Sequence, residues 1–220
     1  MPLASFDAVL FDMDGTLIDT ESQYLEEWAR AAALQGFELT QDLWHQMLGR
    51  PTVDCHRLVK EAFGPSFELE VFATEYRSRL TERLQDHVPV LPGVVNLLHD
   101  LRAQGTPLAV ATSATRKSAD TYLATAGLRD FFSHVVTRDD VDQGKPHPEP
   151  FQKAAAALSI APERCIALED TEAGIRSAHG AGAIPIMIPS IKQPANDVAE
   201  LCHLVCKDMS EVHEHLKQAL

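Results

Sequence analysis

The stretch AVLFDMDGTLIDTE, residues 8–21, decides how the chain is read. The run from Phe6 to Phe11 is short, apolar and β-prone. It reads as a strand buried on both faces, which favours a parallel sheet. It stops abruptly at Asp12, and Asp14, Gly15 and Thr16 follow after a single methionine. In open parallel α/β sheets, ligands bind beyond the carboxyl ends of the strands. Two carboxylates and a hydroxyl therefore stand where such a fold does its chemistry.

Similar short apolar runs recur as PLAVAT at 107–112, HVVT at 134–137, CIALED at 165–170 and IPIMI at 184–188. Helical patterns lie between them. Val94, Leu97, Leu98 and Leu101 share one face, and Gly105 is a stop. Further helices are expected over 116–126, from the PEPF at 148–151, and after Asp170. This alternation predicts an α/β fold with a doubly wound parallel sheet. Residues 17–86 break the pattern. Tyr24, Leu25, Trp28, Ala31 and Ala32 are helix-spaced, as are Leu69, Phe72, Tyr76, Leu80 and Leu84. A block of ~70 residues is too long for a βα loop. It predicts an inserted helical domain over 18–87, with a catalytic core formed by 1–17 and 88–220. The chain should cross near 17–20 and 86–91, with Pro89 and Pro92 as a stiff hinge.

The bulk numbers bound the function. A chain of 220 residues that is 45% hydrophobic builds a real core. A net charge of −13 disfavours nucleic acid as a partner, because such binding rests on clustered Lys and Arg. It leaves room for an anionic substrate, since a few cations or a metal set the field of one pocket. Cys55, Cys165, Cys202 and Cys206 suggest no disulfide framework and read as reduced, buried thiols. Cys202, His203 and Cys206 lack the second half of a zinc site. Neither a signal peptide nor an apolar run of membrane-spanning length is seen. A cytoplasmic protein with no membrane partner, and a monomer, is expected.

The strand ends carry the candidate site. They offer Asp12, Asp14 and Thr16; then Thr112 and Ser113; then Lys145 in GKPHPEPF; then Glu169 and Asp170. Carboxylates alone repel one another, but with a cation they make a Mg²⁺ site that accepts substrate phosphate. A lysine and hydroxyls beside it suit a phosphoryl group. Asp12 is then the expected nucleophile and Asp14 the general acid and base. Each residue also has a plainer reading. The two aspartates start a loop, Thr112 and Ser113 cap the next helix, Lys145 is a solvated loop residue, and Glu169-Asp170-Thr171 opens a helix.

The set DMDGT at 12–16, Thr112 after LAVA, Lys145 in GKPHPEPF and LEDTEAGI at 168–175 resembles the four motifs of the haloacid dehalogenase-like (HAD) superfamily. The insertion after the first motif resembles that family's α-helical cap, on a Rossmann-like core. The last two motifs are similar to those of the branch holding β-phosphoglucomutase and sugar-phosphate phosphatases. The resemblance implies Asp12 as nucleophile and Mg²⁺ ligand, and Asp14 as acid/base with its backbone carbonyl as a ligand. It implies Thr112 and Lys145 as phosphoryl binders, and Asp170, with Glu169 beside it, as the remaining ligands. The chain also departs from the pattern. Tyr24 stands where the mutases have a histidine. Thr52 stands at the mutases' cap arginine, with Arg50 close by and Arg77 and Arg79 as other cations. Asp14 argues against dehalogenation. Lys60 has no match to the imine-forming lysine of phosphonate hydrolases. The expected function is Mg²⁺-dependent hydrolysis of a small phosphorylated metabolite, a sugar phosphate, through an aspartyl-phosphate. The alternative is a phosphosugar mutase of the β-phosphoglucomutase type. The segment MLGRPTVD at 47–54 is expected to set specificity.

Overall fold

The computed structural model describes residues 5–47, 52–189 and 193–218. The chain divides into two compact units, Met1–Asp19 with Val88–Leu220, and Thr20–His87. In the first unit β1 (Ala8–Phe11), β2 (Leu108–Ala111), β3 (His134–Val136), β4 (Cys165–Glu169), β5 (Ile184–Met187) and β6 (Leu204–Val205) form one sheet. Its order is β3-β2-β1-β4-β5-β6, and every neighbouring pair is parallel. The chain starts at the centre, builds outward to β3, then returns to the other side of β1. The switch in direction falls at β1, the point beyond whose strand ends open α/β sheets bind ligands.

Register brings those ends level. Phe11 lies opposite Val110 of β2 and Leu168 of β4. The strands β1, β2 and β4 are buried throughout, as expected of a sheet covered on both faces. The two-residue strand β6 at the edge was not anticipated, because two residues carry no readable period.

The second unit holds α1 (Thr20–Leu34), α2 (Gln41–Met47), α3 (Thr52–Phe63) and α4 (Leu69–Asp86). Trp28, Phe67, Phe72 and Tyr76 are its buried aromatic centre, with the Trp28 ring 5.1 Å from both Phe72 and Tyr76. The first unit adds α5 (Val94–Ala103), α6 (Arg116–Thr125), α7 (Glu149–Ala157), α8 (Glu172–Ala181), α9 (Asn196–Ala199) and α10 (Met209–Lys217). Phe151, Ala154 and Ala155 of α7 and Ala178 and Ala181 of α8 pack with Leu10, Ala109 and Ala167 of the sheet. The small side chains let helix and strand backbones approach closely.

The two chain crossings are joined to each other. Ile18 bridges Val90 in antiparallel fashion, Asp19 N donates to Pro89 O (2.9 Å), and Leu91 N donates to Leu17 O (3.0 Å). The proline segment is therefore half of a short ladder. Pro89 contributes only its carbonyl, the one backbone group it has to offer. Cys55, Cys165 and Cys206 are buried free thiols, and burial pushes the Cys165 and Cys206 thiols up to about 11. Among the described residues no helix is long and apolar enough to cross a membrane.

Candidate active site

Asp12 N donates to Leu168 O (2.9 Å), so the carboxyl end of β1 stays paired with β4 for one residue more. That lays Asp12 beside Glu169. The chain then turns back tightly: Met13 O accepts from Leu17 N (2.9 Å) and Ile18 N (3.1 Å), and Gly15 N donates to Ile18 O (2.9 Å). Met13 is fully buried and anchors this turn, while Asp14 stands partly exposed beyond it.

Gly15 has φ +83, and a Cβ there would overlap Asp170 Oδ2 and lie 2.8 Å from Asp170 Cγ. Gly36 has nearly the same backbone, φ +81, but open space around its missing side chain. Left-handed backbone alone costs a non-glycine residue about 1–2 kcal/mol. Gly36→Ala should cost that amount, and Gly15→Ala measurably more, because Asp170 must move. Equal losses in chemical denaturation would show that Asp170 does not press on the turn.

Lys145 is not a solvated loop residue. Its side chain is 5% exposed. Its Nζ donates to Asp12 Oδ1 and, at 2.6 Å, to Glu169 Oε1, and it lies 5.0 Å from the centroid of the buried Phe151 ring. Glu169 Oε2 accepts from Thr171 N (2.8 Å) and Thr171 Oγ1 (2.9 Å). Both oxygens of this buried carboxylate are thus held by protein donors. The expected helix-opening trio divides its work. Thr171 Oγ1 accepts from Gly174 N (3.0 Å) and caps α8, Glu169 holds Lys145, and Asp170 turns to Thr16, whose Oγ1 donates to Oδ1 over 3.5 Å. Thr112 Oγ1 accepts from Ala114 N (3.0 Å) and reaches Asp14 Oδ2 over 3.5 Å. Thr115, not Thr112 or Ser113, caps α6. Ser113 is exposed on the intervening loop.

Sequence reasoning missed Thr171 as a donor to Glu169, and Gly174 as the position that makes room for it. A Cβ at Gly174 would overlap the Glu169 carboxylate. The signal was the five-residue spacing from Glu169 to Gly174. In the helical unit Tyr24 is 39% exposed, Arg77 lies over the Tyr76 ring, and Arg79 Nε pairs with Glu75 (2.5 Å). Lys60 Nζ donates to Phe67 O and to Pro65 O (3.4 Å), so it closes a turn. Arg50 and residues 48–51 of the expected specificity segment lie outside the described residues.

The carboxylates of Asp12 and Glu169 meet the Lys145 ammonium, while Asp170 faces Thr16 and Asp14 faces Thr112. Burial drives the Asp12 carboxyl well above its ordinary range; Lys145 opposes that shift, and Glu169 and Asp14 add to it. Burial alone would depress the Lys145 ammonium, but Asp12 and Glu169 outweigh it and hold it above its usual value. Among the described residues no three His, Cys, Asp or Glu side chains are gathered for a metal as they stand, and Lys145 engages Asp12 and Glu169. The donor chemistry nonetheless suits a hard cation, because carboxylates outnumber the one positive charge.

Residues 9–188 match the family model for haloacid dehalogenase-like hydrolases. The chain belongs to this family. It is 32% identical over 207 residues to validoxylamine A 7'-phosphate phosphatase of Streptomyces hygroscopicus subsp. limoneus, covering 94% of this chain and 96% of that protein. It is 32% identical over 176 residues to phosphorylated carbohydrates phosphatase of Thermotoga maritima, covering 80% and 82%. A HAD family hydrolase from Deinococcus radiodurans R1, solved with bound phosphate and sodium, superposes with a TM-score of 0.83 at 27% identity, over 99% of this chain and 97% of that one. Asp12, Asp14, Thr112, Lys145 and Asp170 stand on four adjacent strand ends or the loops after them, within the matched residues.

Proposed function

We propose that this HAD-like hydrolase is a Mg²⁺-dependent phosphoric monoester hydrolase acting on small phosphorylated carbohydrates. The observation that carries the reading is Lys145 Nζ, buried against Asp12 and Glu169 at the strand ends. That pairing supports the reading, because with Asp12 as the nucleophile a cation beside it would stand where the oxygens of a transferring phosphoryl group gather charge. The named phosphatases among the relatives support the substrate class.

In this mechanism Asp12 attacks phosphorus through a carboxylate oxygen. The bond from phosphorus to the ester oxygen breaks, and Asp14 gives its proton to the leaving alkoxide. Asp14 then takes a proton from a water molecule as that water attacks the aspartyl-phosphate. The acyl phosphate P–O bond breaks and Asp12 is restored as a carboxylate. Lys145 and Thr112 hold the phosphoryl oxygens through both steps. Asp12, Asp170 and the Asp14 carbonyl would hold Mg²⁺, which supplies positive charge to the phosphoryl oxygens and favours ionised Asp12. Glu169 acts chiefly by holding Lys145.

Phosphate release from an aryl phosphate and from a hexose phosphate panel tests the reading. Activity should vanish with a chelator and return with Mg²⁺ but not with Ca²⁺, whose larger shell and looser geometry suit the site less well. Conversion of β-glucose 1-phosphate to glucose 6-phosphate with little phosphate released would replace this reading with the mutase. Tyr24 at the mutase histidine position favours hydrolysis.

A further inference from the structure

The segment 141–148 carries Lys145 between a short 3-10 turn, Arg138–Asp140, and helix α7. Its first half is held by one side chain from α7. Glu149 Oε1 accepts from Asp142 N (3.1 Å) and Glu149 Oε2 from Gln143 N (2.9 Å). Lys153, one turn further along α7, donates to Glu149 Oε1 (2.6 Å) and to Asp140 O (2.6 Å), and so ties both ends of the segment together. On the far side Ser177 Oγ of α8 donates to His147 O (2.6 Å).

We infer that Glu149 is a positioning residue: its carboxylate latches the loop whose Lys145 reaches Asp12 and Glu169. Glu149 touches none of those three residues, so it acts through the backbone of Asp142 and Gln143. Lys145 lies two residues beyond Gln143, and its ammonium must sit between two buried carboxylates. A loop that slackened at Gln143 would let that ammonium drift, and misplacement by about 1 Å costs up to ~100-fold in rate. The pairing with Lys153 and the two amide donors hold the Glu149 carboxyl down to about 2, so the latch stays charged across the working pH range. The inference rests on the reading of Lys145 as a phosphoryl binder.

A plainer role competes with this one. An acidic residue in the first turn of a helix complements the helix dipole, and Glu149 with Lys153 is an ordinary i,i+4 pair. Glu149→Asp separates the two. It keeps the charge at the helix start but draws the carboxylate back by one methylene, away from the loop. Turnover of an aryl phosphate, thermal unfolding, and exchange of the Asp142 and Gln143 amides by NMR are measured on wild type, Glu149→Asp and Glu149→Ala. The latch predicts that both variants lose about tenfold in kcat and exchange those two amides about tenfold faster. The midpoint of unfolding stays near wild type, and Lys153→Met shows a smaller change of the same kind. Wild-type turnover in Glu149→Asp, or faster exchange with kcat unchanged, overturns the inference. If wild type itself releases no phosphate, the phosphatase reading fails, and the amide exchange alone then decides whether Glu149 holds the loop.

Discussion

Asp12→Asn will abolish turnover while leaving the fold intact. Asn matches the shape of Asp but cannot form an acyl phosphate, so kcat for any phosphate ester should fall by about 10⁴-fold or more. The backbone bond from residue 12 to Leu168 O does not involve the side chain, and Lys145 keeps Glu169 as a partner. Unfolding midpoints should therefore move little. Acid-quenched enzyme should carry labelled phosphate in wild type and none in Asp12→Asn. Asp14→Asn gives the complementary result. An aryl leaving group needs little protonation, so its phosphoenzyme should form and then accumulate as hydrolysis stalls. Residual turnover above about 1% in Asp12→Asn, after exclusion of contaminating enzyme, would remove Asp12 from the nucleophile's role.

Loss of Lys145 should be the most damaging single change to stability at the site. Its side chain is 5% exposed and its carboxylate partners Asp12 and Glu169 are 9% and 1% exposed. Lys145→Met fills similar volume with no charge. It leaves two buried carboxylates facing each other, and breaking a buried pair by deleting one partner costs about 3–5 kcal/mol. In a chain of this size that corresponds to a fall in Tm on the order of 10 °C. The loss should be largest in chelator and partly recovered by Mg²⁺, because a bound cation offsets the same repulsion. Turnover should not return, since charge near Asp12 is restored but the ammonium that grips the phosphoryl group is not. Lys145→Arg should keep more stability than Lys145→Met and still lose most activity, because the planar guanidinium does not occupy the site of a compact ammonium. A Lys145→Met protein as stable as wild type without metal would show that the two carboxylates are not charged together in the folded state.

Most of the strand framework was legible because a parallel sheet covered on both faces forces its strands to be apolar without alternation. Ala8–Phe11, Leu108–Ala111 and Cys165–Glu169 were all visible on that ground. The helical block was legible because α1 and α4 bury one stripe each, through Trp28, Ala31 and Ala32 and through Phe72, Tyr76, Leu80 and Leu84. The edge strand Leu204–Val205 was not, since its backbone pairing with β5 has no side-chain signature.

At the site, the residue types that stand at the strand ends were readable along the chain, because sheet topology converts position along the chain into position in space. The sequence by itself did not determine what each side chain holds. Lys145 and Asp12 are 133 residues apart, and Thr16 and Asp170 are 154 apart. The parallel register of β1 with β4 brings Thr16 and Asp170 within reach, and Lys145 reaches Asp12 from the loop that leads from β3 to α7. The same holds for small details with large consequences. Thr115 rather than Thr112 caps α6, which leaves Thr112 to face Asp14. Gly174 opens the space that the Glu169 carboxylate fills. A hydroxyl or a glycine has many local uses in sequence, and tertiary packing selects one of them, because a buried charge is tolerated only where every partner arrives together.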